Sequence, residues 1–254
     1  MAAVDPYSPC PCGSQEKYKW CCHKAEEWAL RAERLIRNEQ FDQALKVIDE
    51  GLRKAKGAYW LLMQQAIIHE RREEPEKARE SIEAILQSKP DHLGALAHRV
   101  QSTLMAEGPD RAAADLQAAL SAMKPDDRPK FAGVFRMVGV MLVRSGNIPA
   151  GIVHLERGAA ADSDDDPIAR PALRSIMVDP GVSAWLKNPY ELTPPPPGLI
   201  GEGRERFQAA LQAADEALWS QAAARFETLS ADGVPAADRN LGICRLWLAD
   251  GKGA

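Results

Sequence analysis

A 34-residue period runs through this sequence from residue 25 and leaves few folds open to it. Three units align without a gap, beginning at Ala25, Tyr59 and Leu93, and a fourth begins at Ala132 after a short insertion. Unit one places Trp28, Ala32, Leu35, Ala44, Ile48 and Gly51 at positions 4, 8, 11, 20, 24 and 27. The same places hold Leu62, Ala66, His69, Ala78, Ile82 and Ile85 in unit two, and Leu96, Val100, Thr103, Ala112, Leu116 and Ala119 in unit three. Unit four offers Phe135, Gly139, Leu142, Gly151, Leu155 and Gly158. Mostly small residues at 8, 20 and 27 let two antiparallel helices approach closely, while larger ones at 4, 11 and 24 fill the space between hairpins. Turn chemistry agrees, since Asn38-Glu39-Gln40, Glu73-Glu74-Pro75, Glu107-Gly108-Pro109 and Gly146-Asn147-Ile148-Pro149 fall between the two helices of successive units. Each unit is therefore predicted to be a helical hairpin.

Composition points the same way. Ala and Leu dominate the 45% of apolar residues and aromatics are only 6%, so helix is favoured over strand and the expected class is all-α. Net charge is −4 with basic and acidic residues interspersed, which gives no support for a nucleic-acid surface. No apolar run approaches the roughly 18 residues a membrane span needs, and the start of the chain has no cationic or apolar signal, so a cytoplasmic protein away from the membrane is expected.

The period breaks between residues 161 and 202. This stretch holds an acidic run with Asp162, Asp164 and Asp166 at alternate places, a helical segment near Ala169 to Met177, and four prolines from Pro194. Pro167 stands where a calcium loop needs glycine and Leu173 where it needs a bidentate glutamate, so the run is expected to be a solvated helix start. The prolines favour an extended spacer. Phe207, Ala210, Ala222, Phe226 and Leu229 then fit a fifth hairpin, with Trp219 entering its second helix. A sixth unit from Pro235 has only its first helix, leaving Ile243, Leu246, Trp247 and Leu248 without the partner a hairpin supplies. The expectation is a part of a longer repeat protein. The domain reading is thus a knuckle at 1–24, four hairpins at 25–160, an acidic and Pro-rich linker at 161–202, and a further hairpin with an incomplete repeat at 203–254.

Four of the five cysteines, Cys10, Cys12, Cys21 and Cys22, crowd into one short segment, the wrong distribution for a disulfide framework. Two thiol pairs on either side of an eight-residue loop bring four soft ligands together, as structural zinc requires, and a closed ligand set leaves no activated water. Gly13 and Ser14 permit a tight turn after the first pair, and residues 17–22 suit a helical turn that aims the second pair inward. Lys17, Lys19 and Lys24 are placed to offset thiolate charge.

Pro9-Cys10-Pro11-Cys12-Gly13-Ser14 and Lys17-Tyr18-Lys19-Trp20-Cys21-Cys22 resemble the SEC-C motif, the zinc-binding tail of the preprotein-translocase ATPase. The resemblance implies one structural Zn²⁺ held by Cys10, Cys12, Cys21 and a fourth ligand, which is Cys22 or, one residue late, His23. It also implies a chaperone- or ribosome-associated partner. Lys17, Tyr18, Lys19 and Trp20 are the knuckle residues expected at the surface, with packing of Trp20 on the first helix as the alternative. A knuckle that merely caps the first hairpin at Trp28 and Leu35 is a further alternative.

The 34-residue pattern is similar to the tetratricopeptide repeat, which implies an α-solenoid of stacked hairpins. In that family, positions 2, 5, 9, 12 and 13 face a concave groove that takes a peptide or partner helix. Here these places hold Trp60, Met63 and Ile67, then Leu104 and Met105, then Val140 and Val143, a partly apolar groove. Ala29 and Glu33 stand where chaperone-tail-binding members carry a basic and asparagine clamp, so a carboxylate clamp is not expected.

His69, His92, His98 and His154 are isolated, with His154 expected on a helix surface, and no nucleophile-base pair or phosphate loop is present in the sequence. The expected function is a zinc-binding scaffold or adaptor for proteins, and no enzyme. The alternative is the N-terminal regulatory part of a larger enzyme whose catalytic domain lies outside this chain.

Overall fold

The computed structural model describes residues 5–161, 167–188 and 190–250. Thirteen α-helices pack largely as neighbouring pairs among them, with no strand, so the fold is all-α. The acidic residues Asp162, Asp164 and Asp166 lie outside the described residues. The chain divides into two compact units, Met1–Ser102 and Thr103–Ala254.

In the first unit, α1 (Glu26–Arg37) pairs with α2 (Phe41–Lys54) and α3 (Tyr59–Arg71) with α4 (Pro75–Ser88), and α5 (Leu93–Glu107) begins before the division. Three-residue turns force each pair antiparallel. The turns share one device, a left-handed residue at position 15 of the period: Glu39 at φ 57° and Glu73 at φ 58°. Behind Glu39, Gln40 N–H reaches back to the Leu35 carbonyl at 2.9 Å and Glu39 N–H to that of Ile36 at 3.0 Å. This Schellman arrangement satisfies carbonyls that the helix end would otherwise leave bare. The core runs along the inner faces of α1, α2 and α3, where Ala29, Ala32, Ala44, Ile48, Leu61 and Ile68 are buried.

The second unit repeats the design. It holds α6 (Pro109–Ala122), α7 (Ala132–Arg144), α8 (Ile148–Ala161), α9 (Arg170–Val178), the short α10 (Ala184–Lys187), α11 (Gly201–Asp215), α12 (Trp219–Ala231) and α13 (Ala237–Trp247). Position 15 is again left-handed at Gly146, at Ala217 and, in the sixth unit of the period, at Ala249. Helices α7 and α8 cross where position 8 meets position 20. A Cβ on Gly139 would stand 2.9 Å from the Gly151 carbonyl oxygen, and one on Gly151 would stand 2.7 Å from that of Gly139. Glycine is required here by closeness alone.

Three expectations are corrected in this unit. The residue leading into the four prolines is fastened to α13 rather than standing free: buried Asn240 accepts from Thr193 N–H at 2.8 Å and donates to the Thr193 carbonyl at 2.9 Å. Trp219 of α12 is fully buried, with its ring 4.7 Å from His154 and 5.9 Å from Trp247. Ile243 and Trp247 find their cover there, since α13 packs on α12 and α8. His154 consequently sits in the core, its Nδ1–H donating to the Ala150 carbonyl at 2.8 Å.

Candidate metal centre

The cysteine segment folds as two short arms. Cys10 N–H donates to the Glu16 carbonyl at 2.8 Å and Tyr18 N–H to that of Ser8 at 2.9 Å, so the arms run antiparallel. The reversal uses Gly13 at φ 84° and Gln15 at φ 64°. A 3-10 turn at Tyr18–Trp20 then delivers Cys21 and Cys22, and a second at His23–Ala25 leads into α1.

This geometry brings the Sγ atoms of Cys10, Cys12, Cys21 and Cys22 within 4.8 Å of one another. Cys12 to Cys21 and Cys21 to Cys22 are each 3.6 Å, and none of the four is in a disulfide. A tetrahedron of sulfurs with metal bonds near 2.3 Å has edges of about 3.8 Å, so the donor set fits a four-coordinate, thiolate-preferring cation. His23 is not in this cluster; its Nε2 lies 3.9 Å from the Glu26 carboxylate and its side chain is half exposed.

Crowding controls the ionisation of the thiols. Hydrogen bonds from Cys12, then Cys21 and Cys22, hold the Cys10 thiol far below its ordinary range. Cys10, Cys12 and Cys21 together push Cys22 far above it, with burial adding to the effect. Cys21 settles at about 7, raised by Cys10 but lowered more by Cys12, Cys22 and Ser14. The first thiolate is stabilised by its neighbours and later ones are opposed, so four thiolates coexist there only around a cation. Ser14 Oγ lies 3.3 Å from Cys21 Sγ, and Trp60 N–H donates to Cys22 Sγ at 3.3 Å. Such outer contacts orient sulfur ligands and spread their charge.

The cluster meets the helical hairpins at residues the sequence did not single out for this purpose. Tyr59 and Trp60, at the start of α3, pack on the cysteines and Tyr18, and Gly94 N–H at the start of α5 donates to the Gly13 carbonyl at 3.3 Å. The knuckle core therefore does not rest on Trp28 and Leu35. His92 precedes α5, and its buried Nδ1 accepts from Ala95 N–H at 3.1 Å. Burial holds its pKa below the ordinary range, so the ring is neutral.

Tyr18 is a correction: it was expected at the surface and is completely buried, because the 3-10 turn points it inward between His23 and Trp60, at 5.4 and 6.2 Å. Trp20 is 67% exposed and lies against Tyr7 at 6.4 Å. Lys17 Nζ stands 5.3 Å from the Trp20 ring and Lys19 Nζ 5.3 Å from that of Tyr7, so these cations spend their charge on aromatic faces. Tyr7 escaped sequence reasoning; its only signal was an aromatic residue just before the first cysteine pair.

The seven expected groove residues divide between the units. Trp60, Met63 and Ile67 lie half-buried in the first, where Trp60 is occupied by the knuckle. In the second, Leu104 is buried and Met105 is 80% exposed, so neighbouring positions 12 and 13 do not share one surface. Val140 and Val143 are half-buried, and Val143 occupies the space beside Gly151 in its own hairpin. Leu104 and Val143 are thus packing residues, and Trp60 is a docking point for the knuckle.

The fifth cysteine, Cys244, is buried in α13, where burial pushes its thiol up to about 12. No helix among the described residues is long and apolar enough to cross a membrane. No protein-family model matches this chain, and no curated protein matches it.

Proposed function

We propose that this chain is a zinc-organised scaffold for binding proteins, a knuckle of the SEC-C type joined to TPR-like hairpins, working by contact and without catalysis. The convergence of Cys10, Cys12, Cys21 and Cys22 into one closed set of sulfurs within 4.8 Å supports this reading above all else. A complete sulfur set leaves the ion no open position for substrate or water, so its role is to hold a surface in shape. That surface is the outward face of Tyr7, Lys17, Lys19 and Trp20, with Trp20 and Tyr7 67% and 57% exposed. Two ammonium groups over two aromatic rings suit an acidic protein segment with an apolar or aromatic anchor. A chaperone or ribosome-associated protein is the partner that the SEC-C resemblance suggests. A thiol cluster of this kind is kept for metal binding in a reducing compartment, which supports reading the protein as cytoplasmic.

Elemental analysis tests the reading. One equivalent of zinc per chain is expected, removable by chelator. Absence of bound metal, with four freely titratable thiols, would overturn it. For the surface, a glutamate-rich peptide is expected to bind the zinc-loaded chain in a salt-dependent manner and to bind a Lys17→Glu, Lys19→Glu variant less.

A further inference from the structure

The knuckle touches two helix ends that are equivalent by sequence. Trp60 and Gly94 each occupy position 2 of their unit, one 34-residue period apart, and each is the second residue of its helix. Their amides are among the donors a helix cannot satisfy internally. Ala58, the cap residue of α3, has no side-chain acceptor, and the acceptor is Cys22 Sγ at 3.3 Å. At α5 the Gly94 amide is taken by the Gly13 carbonyl at 3.3 Å. The approach there is tight enough that a Cβ on Gly94 would stand 2.6 Å from the Cys12 carbonyl oxygen. Lys89, in the turn before α5, bonds Glu16 of the knuckle at 2.9 Å.

Sulfur is a poor hydrogen-bond acceptor as a thiol and a good one as a thiolate, and the N-terminus of a helix favours negative charge. A tetrathiolate around a dication keeps a net negative charge, and α3 and α5 point their positive ends at the two sides of the segment that bears it. We infer that metal loading at the cysteine cluster is coupled to the order of α3 and α5, with Trp60 N–H and Gly94 acting as positioning groups of the metal site. This rests on the metal reading above. Zinc makes Cys22 the N-terminal cap of α3 and fixes the Cys12–Gly13 turn against α5. Removal of the metal takes that cap away, and substitution at Gly94 weakens the metal.

Gly133 supplies the control. It too is at position 2 of its unit, at the start of α7, and a Cβ there meets nothing within 4 Å. The test uses the full chain with Zn²⁺ as the probe and a chromophoric chelator as competitor, comparing the native sequence with Gly94→Ala and Gly133→Ala. Gly94→Ala is expected to bind zinc about 10- to 100-fold more weakly, the range for loss of outer contacts, and Gly133→Ala to bind it unchanged. Amide exchange on the native chain is a second readout that needs no variant. The Trp60 and Gly94 amides are expected to lose protection on chelation while those within α12 keep theirs. Native zinc affinity in Gly94→Ala, or unchanged protection at both amides, would overturn the coupling and leave the metal reading standing. Failure of the native chain to take up zinc would overturn both.

Discussion

The backbone amide of Trp60 donates to the sulfur of Cys22 across 38 residues of sequence, at 3.3 Å. One contact thus joins the cysteine segment to a helix of a different hairpin. It also distinguishes Cys22 from its neighbour His23, which faces solvent.

Cys22→Ser is therefore expected to abolish stoichiometric zinc binding and to lower the thermal midpoint of the first unit. Cys244→Ala, which removes the one thiol outside the cluster, is expected to leave zinc content unchanged. Metal analysis and a chelator-dependent melt on both variants check this. His23→Ala is expected to retain full zinc, and metal loss in that variant would reopen the assignment of the fourth ligand.

Tyr18 and Trp20, two residues apart, are expected to separate stability from binding. Tyr18→Ala removes a fully buried ring and should cost about 3 kcal/mol or more. Trp20→Ala removes an exposed one and should change stability by less than about 0.5 kcal/mol while weakening binding of an acidic peptide. Denaturant titration of the zinc-loaded variants measures the first effect and calorimetry the second.

His154 carries a pH dependence of the second unit. Burial holds its pKa at about 4, below the 6.5 of an exposed imidazole. Because the folded value is the lower, its contribution is fully present above pH 6.5 and is lost as pH falls toward 4. The unfolding free energy is expected to be about 2 kcal/mol lower at pH 5 than at pH 7.5 from this group alone. A His154→Gln variant should lose that part of the slope, and the difference between the two denaturation series isolates it from thiol protonation.

The turns offer a gain in stability. Glu39 and Glu73 are exposed and left-handed, a conformation in which a side chain is strained. Glu39→Gly and Glu73→Gly are each expected to raise stability by about 0.5–1 kcal/mol, whereas Glu50→Gly, inside α2, should lower it by about 1 kcal/mol. Urea unfolding of the three variants decides the matter.

Asn240 binds the Pro-rich stretch by both ends of its amide. Asn240→Asp keeps an acceptor for Thr193 N–H and loses the donor to its carbonyl. Faster protease cleavage near residues 191–200 is expected, together with a loss of about 1–3 kcal/mol from the second unit.

The hairpins were legible because their determinants are local and repeated. Small residues at positions 8 and 20 pack α7 against α8 through Gly139 and Gly151, and turn residues mark position 15. The cysteine cluster was legible for the same reason, since all four sulfurs lie within one short loop. Hidden from sequence was everything depending on distant backbone. Gly94 meets the knuckle through its amide, and Trp60 adds an amide contact to its ring packing; a backbone amide carries no residue signature. Tyr18 looked like surface because the helix end that covers it lies some 40 residues away. Asn240 escaped because an amide that serves two backbone groups looks no different from one in solvent.

The two amides that the knuckle grips are separated by one full repeat, and this gives the cysteine segment a mechanical meaning. A module holding one helix end could rotate with it; one holding the ends of α3 and α5 acts as a gauge laid across a single step of the stack. The spacing between those helix ends is then fixed by the span from Gly13 to Cys22, so the local pitch of the first hairpins becomes a property of the cysteine loop.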